Sequence, residues 1–184
     1  MIINLMSKNP AKILLYMSIS PGRRNTRKEL KDWTKMNNVP LDNSINELIN
    51  LKIIEKKKNL YSLNLDNSIT PKIIEEIKEM KHLPIKVQFI ILEFISSVLR
   101  LKGIKNIILF GSYAKLIFTD KSDIDLAVIL EKNKLTEKKI LSISEKISKK
   151  YKKEVHINFF NEKELKNKKD SLVKDIKQNG KELI

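Results

Sequence analysis

The sequence predicts an α+β protein made of two consecutive domains. In the first part, three short segments with helical spacing of apolar residues precede a basic hairpin. In the second part, strand-like and helix-like segments alternate, which favours helices packed on a small mixed sheet. The turn-rich segment Asp66–Pro71 separates the two parts. We therefore expect a first domain at 1–67, a linker helix at 68–83 and a second domain at 84–184.

The first domain is predicted to contain three helices. The first helix covers 9–19 and ends before a Pro-Gly pair. The second begins at Thr26, which has the spacing of a capping box with Glu29. The third follows the break at Met36–Pro40, and its apolar residues from Leu41 to Ile49 lie on one helical face.

A basic hairpin follows the third helix. Its strand-like runs, 53–56 and 59–65, are joined by two lysines. Three helices and a basic hairpin resemble a winged helix-turn-helix, which implies DNA binding by the third helix and the hairpin. The predicted nucleic-acid contacts are basic side chains that neutralise phosphates and asparagines that reach base edges. They are Arg23, Arg24, Arg27, Lys28, Asn43, Asn46, Lys56, Lys57 and Lys58.

The charge of the chain indicates a polyanionic partner but does not identify which one. The formal net charge is +15, which favours a nucleic acid, a nucleotide or both. Against DNA binding, the outward face of the third helix carries Asp42 and Glu47, which repel phosphate. The alternative is a winged helix used for protein contact or for a homodimer.

The composition excludes several other classes of protein. Without cysteine there is neither a disulfide framework nor a thiolate metal site, and two histidines argue against a histidine-rich zinc centre. The most apolar segment, 85–101, is shorter than the ~20 residues that span a bilayer and carries charged residues. The start, Met1–Met6, is too short for a secretory signal. We therefore expect a cytoplasmic protein that does not enter a membrane.

The second domain is predicted to alternate three helices with three strands. The helices cover 85–102, 135–150 and 162–178, and the strands cover 105–110, 124–130 and 154–160.

The most informative pattern lies where the first of these strands ends. An apolar run meets a turn at Gly111-Ser112, and the next strand opens with Asp123 and Asp125. Because side chains alternate along a strand, these two carboxylates project to the same side. Carboxylates that face a turn with free backbone amides suit a Mg²⁺–nucleotide site.

This pattern is similar to the signature of the minimal nucleotidyltransferase domain of the DNA polymerase β superfamily, which consists of Gly-Ser, a short spacer and Asp-x-Asp. The resemblance covers about residues 85–184. It implies transfer of a nucleoside monophosphate from an NTP, with ATP as the first candidate, to a hydroxyl acceptor with Mg²⁺. Asp123 and Asp125 would be catalytic metal ligands, and Gly111 and Ser112 would hold the triphosphate. Lys115 would either add a cation to the phosphates or be solvated.

Two residues depart from the family pattern. Leu116 stands where the family usually has glycine. His156 stands where active members carry a third carboxylate, with Glu154 on the same face as the alternative. We take His156 as the third catalytic candidate, a base or metal ligand, against a partner in a polar network. A site with two acids would bind nucleotide and Mg²⁺ but transfer slowly or not at all.

Three functions follow from these patterns. The first is an active nucleotidyltransferase. The second is a DNA-binding transcriptional regulator whose nucleotidyltransferase domain is weakly active or inactive. The third is an antitoxin that modifies or sequesters a small toxin protein, as related minimal nucleotidyltransferases do. In each case the expected partners include a nucleotide, and a partner protein or a second copy is a candidate to complete the cleft.

Overall fold

The computed structural model describes residues 8–78, 80, 82–131, 133–167 and 169–184. They fall into two compact units, Met1–Ile85 and Lys86–Ile184. Each unit contains helices and one small sheet, so the α+β class predicted from the sequence is confirmed. The division at 67 and 83 with a separate linker helix stays a prediction. The expectation of no secretory signal at Met1–Met6 concerns residues outside the described ones.

The first unit combines four helices with a small sheet. The helices are α1 (Lys8–Ser18), α2 (Arg27–Thr34), α3 (Asn38–Asn50) and α4 (Thr70–Lys78). The strands are β1 (Asn25–Thr26), β2 (Ile54–Lys57) and β3 (Leu60–Leu63), antiparallel in the order β1-β3-β2. Helix α1 forms the centre of this unit because Ile13, Leu14 and Leu15 are all fully buried.

Local sequence signals explain where these elements begin. Thr26 and Glu29 form the predicted capping box, in which each side chain accepts from the other's backbone N–H. The third helix begins at Asn38, earlier than expected, and takes Pro40 into its first turn. Proline costs little there because first-turn N–H groups have no partner inside the helix. Strand β1 was not predicted, since two residues carry no alternation. The winged-helix assignment stays a prediction.

The second unit surrounds a four-stranded mixed sheet. Its helices are α5 (Ile85–Val98), α6 (Gly111–Lys115), α7 (Lys134–Tyr151) and α8 (Ser171–Asn179). Its strands are β4 (Ile104–Phe110), β5 (Ile124–Leu130), β6 (Val155–Phe160) and β7 (Lys181–Glu182), in the order β6-β5-β4-β7. Strand β5 runs parallel to β6 and antiparallel to β4. Because β5 is central, Leu126, Ala127 and Val128 are completely buried.

A buried ion pair ties α5 to the end of α7. The carboxylate of Glu93 is almost fully buried, and it accepts hydrogen bonds from Lys150 Nζ at 2.8 Å and from the Tyr151 hydroxyl at 2.7 Å. Burial, with this carboxylate beside it, raises the pKa of Tyr151 well above its usual range, so the phenol stays a donor. The pair holds the first helix of the unit against the helix that precedes β6.

Two expectations for the second unit need correction, and one strand was not predicted. The turn predicted at Gly111-Ser112 is the start of the short helix α6. The helix predicted at 162–178 is a 3₁₀ turn at Glu164–Lys166 followed by α8, because Asn161 and Asp170 each cap a new start. The tail forms β7, which pairs with β4. Among the described residues, no helix is both long enough and apolar enough to span a bilayer.

Candidate active site

The candidate site lies where three adjacent strands bring the two halves of the sequence motif together. Phe110, the last residue of β4, pairs with Asp125 on β5, and Asp125 pairs in turn with His156 on β6. Helix α6 begins directly after Phe110. The Gly-Ser pair, the two aspartates and the candidate on the third strand therefore lie side by side at one edge of the sheet.

Gly111 lies against the carboxylate of Asp125. Its φ is +70°, in the left-handed region that disfavours side chains, and a Cβ built there would come within 2.3 Å of Asp125 Oδ2. Both the backbone conformation and the contact favour glycine. The α6 backbone can thus start beside the acidic group without a side chain between them.

Ser112, the next residue, has an unusual hydroxyl group. Its Oγ is buried, and within the part of the chain that the structure describes it has no hydrogen-bond partner. A buried hydroxyl without a partner carries an unfavourable desolvation cost. The cost falls when the hydroxyl gains a hydrogen-bond partner.

The two aspartates and His156 form a cluster open to solvent. The Nδ1 atom of His156 lies 3.7 Å from Asp125 Oδ1 and 3.9 Å from Asp123 Oδ2. The side chains of Asp123 and Asp125 are 39% and 27% exposed, so a solute can reach both. The strand alternation expected from the sequence is seen here, because both carboxylates approach the same imidazole nitrogen.

Glu154 joins this cluster from the start of β6. Its Oε2 lies 3.3 Å from His156 Nε2, and ligand atoms of Asp123, Glu154 and His156 all lie within 4.8 Å of one another. The sequence offered Glu154 and His156 as alternatives for the third position. The structure places both of them beside Asp123.

The surroundings of Asp125 disfavour its ionised form. Burial raises the pKa of Asp125 above its usual value; His156 opposes this shift, while Asp123 and Asp175 add to it. A carboxylate that is desolvated and close to other acids gains stability from a bound cation. Asp123, Glu154 and His156 could together hold a cation.

Lys115, at the end of α6, has a partner within the protein. Its Nζ lies 2.7 Å from Asp175 Oδ1 on α8, and this contact holds the pKa of Asp175 below its usual range. The expectation that Lys115 is either a phosphate contact or a solvated side chain did not include this ion pair. Asp175 was missed by the sequence analysis, since nothing local to α8 signals a partner so distant in the chain.

A basic cavity of about 550 Å³ opens next to the cluster and shares two of its residues, Asp123 and Glu154. Lysines supply much of its rim. The lining residues are Asp120, Lys121, Asp123, Ser148, Lys149, Lys152, Lys153 and Glu154. The sequence analysis missed this cavity, because its lysines come from the end of α7, from the turn between α7 and β6, and from the segment that precedes β5. Four lysines and three acidic residues line the cavity, so its formal charge is slightly positive.

The residues predicted to contact nucleic acid lie in the first unit and differ in their surroundings. Arg27 donates from Nε and Nη2 to both carboxylate oxygens of Asp42, at 2.7 and 2.8 Å, and Arg23 pairs with Glu29. The others are exposed. They are Arg24, Lys28, Asn43, Asn46, Lys56, Lys57 and Lys58. Arg27 therefore serves first to join α2 to α3.

Comparison with known proteins gives one result for this second unit. A family model described as "Polymerase beta, Nucleotidyltransferase" matches residues 93–184, which is half of the chain. The match contains Gly111, both aspartates and His156, and it confirms the resemblance inferred from the sequence motif. A search of curated proteins finds no match.

Proposed function

The chain belongs to the polymerase beta nucleotidyltransferase family, and from this premise we propose that it transfers a nucleoside monophosphate from an NTP to a hydroxyl acceptor. Family membership supports nucleotidyl transfer in general. The proposal adds the nucleotide, with ATP as the first candidate, the divalent cation and the residues that act. The acceptor is a hydroxyl group on a nucleic acid, a small molecule or a partner protein such as a toxin.

One observation carries this proposal: the Asp125 carboxylate lies against Gly111, at the point where α6 begins. Cation ligands and unblocked backbone amides are thereby side by side, as a metal–triphosphate requires. The residues fit such a group, because Asp123 and Asp125 supply oxygen ligands and the Ser112 hydroxyl lacks a partner among the described residues.

Each residue of the site has a role in this proposal. Asp123 and Asp125 hold a divalent cation, for which Mg²⁺ is the expectation from the family. When bound, the cation neutralises phosphate charge and lowers the pKa of the acceptor hydroxyl. Gly111 lets phosphate oxygens approach the backbone, and Ser112 donates its hydroxyl hydrogen to one of them.

The transfer exchanges one phosphorus–oxygen bond for another. The acceptor oxygen bonds to the α-phosphorus while the bond from that phosphorus to the leaving oxygen breaks, which releases pyrophosphate. The hydroxyl proton passes to solvent. Because the reaction needs in-line positioning, the main work of the protein is to hold acceptor and triphosphate in place.

Labelled nucleotides test the proposal. The full chain is incubated with a cell lysate, Mg²⁺ and each of the four NTPs labelled at the α-phosphate. We expect at least one lysate component to be labelled, and we expect Asp123→Asn to abolish the labelling. Asp32→Asn, which changes an exposed aspartate of the first unit, serves as the matched control. Absence of labelling with all four NTPs would contradict the proposal.

A second function, DNA binding by the first unit, is supported by the exposed hairpin lysines. Lys56, Lys57 and Lys58 project from the β2–β3 hairpin, and Asn43 and Asn46 are exposed on α3. Lysines of this kind neutralise phosphates and make binding sensitive to salt. Under this proposal the chain is a regulator that binds DNA while its second unit binds nucleotide.

A further inference from the structure

We propose that His156 is a metal ligand and that it makes the site prefer a first-row transition-metal ion over Mg²⁺. The inference rests on the proposed function and concerns the ion next to His156, while Mg²⁺ remains the ion that accompanies the triphosphate. It assigns His156 a ligand role instead of leaving it as a substitute for a missing carboxylate.

The distances around His156 suit a shared ion. Metal bonds to imidazole nitrogen and carboxylate oxygen are about 2.0–2.2 Å long, so two donor atoms on one ion lie about 3–4 Å apart. The separations of Nδ1 from Asp125 Oδ1 and Asp123 Oδ2, 3.7 and 3.9 Å, fall within this range. They also exceed the length of an ordinary hydrogen bond, which leaves room for an ion between these atoms.

Glu154 orients the imidazole for this role. Its Oε2 lies 3.3 Å from Nε2, while Nδ1 is the ring nitrogen that approaches the aspartates. With the Nε2–H donated to Glu154, the imidazole would offer Nδ1 to an ion that Asp123 and Asp125 also hold. Metal-binding histidines commonly donate their other ring N–H to a carboxylate, which fixes the orientation of the ring.

The donor set determines which ion is preferred. Mg²⁺ selects oxygen ligands and loses its water reluctantly, whereas imidazole suits later transition metals such as Co²⁺ and Zn²⁺. Replacing a third carboxylate by a neutral imidazole also removes a negative charge from the site. This loss weakens the binding of Mg²⁺ more than the binding of an ion that gains a nitrogen ligand. We therefore expect Co²⁺ to bind more tightly than Mg²⁺ when no nucleotide is present.

Calorimetry on the metal-free full chain tests the preference, with Co²⁺ and Mg²⁺ titrated separately and no nucleotide added. We expect Co²⁺ to bind at least tenfold more tightly. His156→Asp is expected to lower the affinity for Co²⁺ at least tenfold and to raise that for Mg²⁺, which reverses the order. His82→Asn, at the exposed histidine of the first unit, should leave both affinities unchanged. Equal affinities in the unaltered protein, or an unchanged ratio in His156→Asp, would overturn the inference.

A spectroscopic readout requires no variant. The chain has two histidines, so the ring signals of His156 and His82 can be followed together by NMR. Substoichiometric Co²⁺ is expected to broaden or shift the His156 signals and to leave those of His82 in place. Unchanged His156 signals would overturn the inference even if His156→Asp fails to fold. Labelling by NTPs that persists alongside such a result would show that the proposed function stands without this ligand.

Discussion

The Asp125 carboxylate and Gly111 are in such close contact that a Cβ on residue 111 would come within 2.3 Å of Asp125 Oδ2. This contact joins the two halves of the sequence motif, because Gly111 directly follows β4 and Asp125 is the second residue of β5. Glycine is favoured at this position for two reasons, its φ of +70° and the small space beside the carboxylate. The proposed metal–nucleotide chemistry depends on this contact.

Gly111→Ala should lower stability and disrupt the site. The positive φ alone costs roughly 1–2 kcal/mol in the free energy of unfolding, and the clash must also displace the Asp125 carboxylate. We expect nucleotide binding to fall at least tenfold, measured by calorimetry with urea unfolding in parallel. Gly103→Ala is the matched control, since Gly103 has a φ of +90° but nothing lies within 4 Å of the point that its Cβ would occupy. Similar nucleotide affinity in both variants would argue against the role of the contact.

Asp125→Asn should stabilise the metal-free protein while abolishing transfer. Burial raises the folded-state pKa of Asp125, so the native state favours the protonated form. The stabilisation that comes from the protonated Asp125 carboxyl group is complete below the unfolded-state pKa of about 3.9. It is lost as pH rises through the higher folded-state pKa. At pH 7, without divalent cations, Asp125→Asn should therefore melt a few degrees higher than the unaltered protein. The gain should vanish as the pH approaches 3. A lower melting temperature at pH 7 would contradict this explanation.

The Lys115–Asp175 contact should couple α6 to α8. A double-mutant cycle with Lys115→Met and Asp175→Asn should give a coupling energy of roughly 0.5 kcal/mol, since both side chains are partly exposed. Because Lys115 lowers the pKa of Asp175, this stabilisation is present above the unfolded pKa of Asp175 and is lost as pH falls through the lower folded value. Urea unfolding at pH 7 and at pH 3 measures both effects. If the two substitutions change the free energy of unfolding at pH 7 in a strictly additive way, the contact contributes nothing to stability.

Glu93→Gln should destabilise the second unit. The buried carboxylate accepts from Lys150 and Tyr151, and its neutral replacement leaves a cation without its counter-charge. We expect a loss of roughly 1–3 kcal/mol in the free energy of unfolding. Lys150→Met should cost more, because it leaves the almost fully buried Glu93 carboxylate without its cation, whereas in Glu93→Gln the half-exposed Lys150 ammonium stays solvated. Urea unfolding of both variants measures the difference, and a smaller loss in Lys150→Met would contradict this assignment of roles.

The exposed lysines of the first unit should set the salt dependence of DNA binding. Each phosphate contact contributes about 0.9 to the slope of log affinity against log salt concentration. Replacing Lys57 and Lys58 by alanine should therefore reduce the slope by about 2. The double replacement of Lys138 and Lys139, two exposed lysines on α7, is the control and should leave the slope unchanged. An unaltered slope in the hairpin variant would remove the support for DNA binding.

Local patterns predicted much of the fold, because strand alternation and capping residues act over a few positions. The alternation that puts Asp123 and Asp125 on one face and the Thr26–Glu29 capping box are signals of this kind. The neighbouring position of Asp125 and His156 depends on strand pairing, which the family resemblance implied. The motif was therefore sufficient for the core of the candidate site.

Contacts between residues that are distant in the chain could not be predicted from the sequence. The Lys115–Asp175 pair depends on how α8 packs against α6, and no local spacing records that arrangement. The break before α8 did leave a signal, since Asp170 has the side chain of an N-cap, but continuous helical spacing obscured it. Strand β7 has two residues, too few for any alternation to appear.

The central claim is that Asp123 and Asp125 hold a metal–triphosphate beside the start of α6. Calorimetry with a non-hydrolysable ATP analogue and a divalent cation tests it most directly. We predict that the full chain binds the analogue only with the cation present and that Asp123→Asn with Asp125→Asn lowers its affinity at least tenfold. Binding that is equally tight in this double variant would contradict the account.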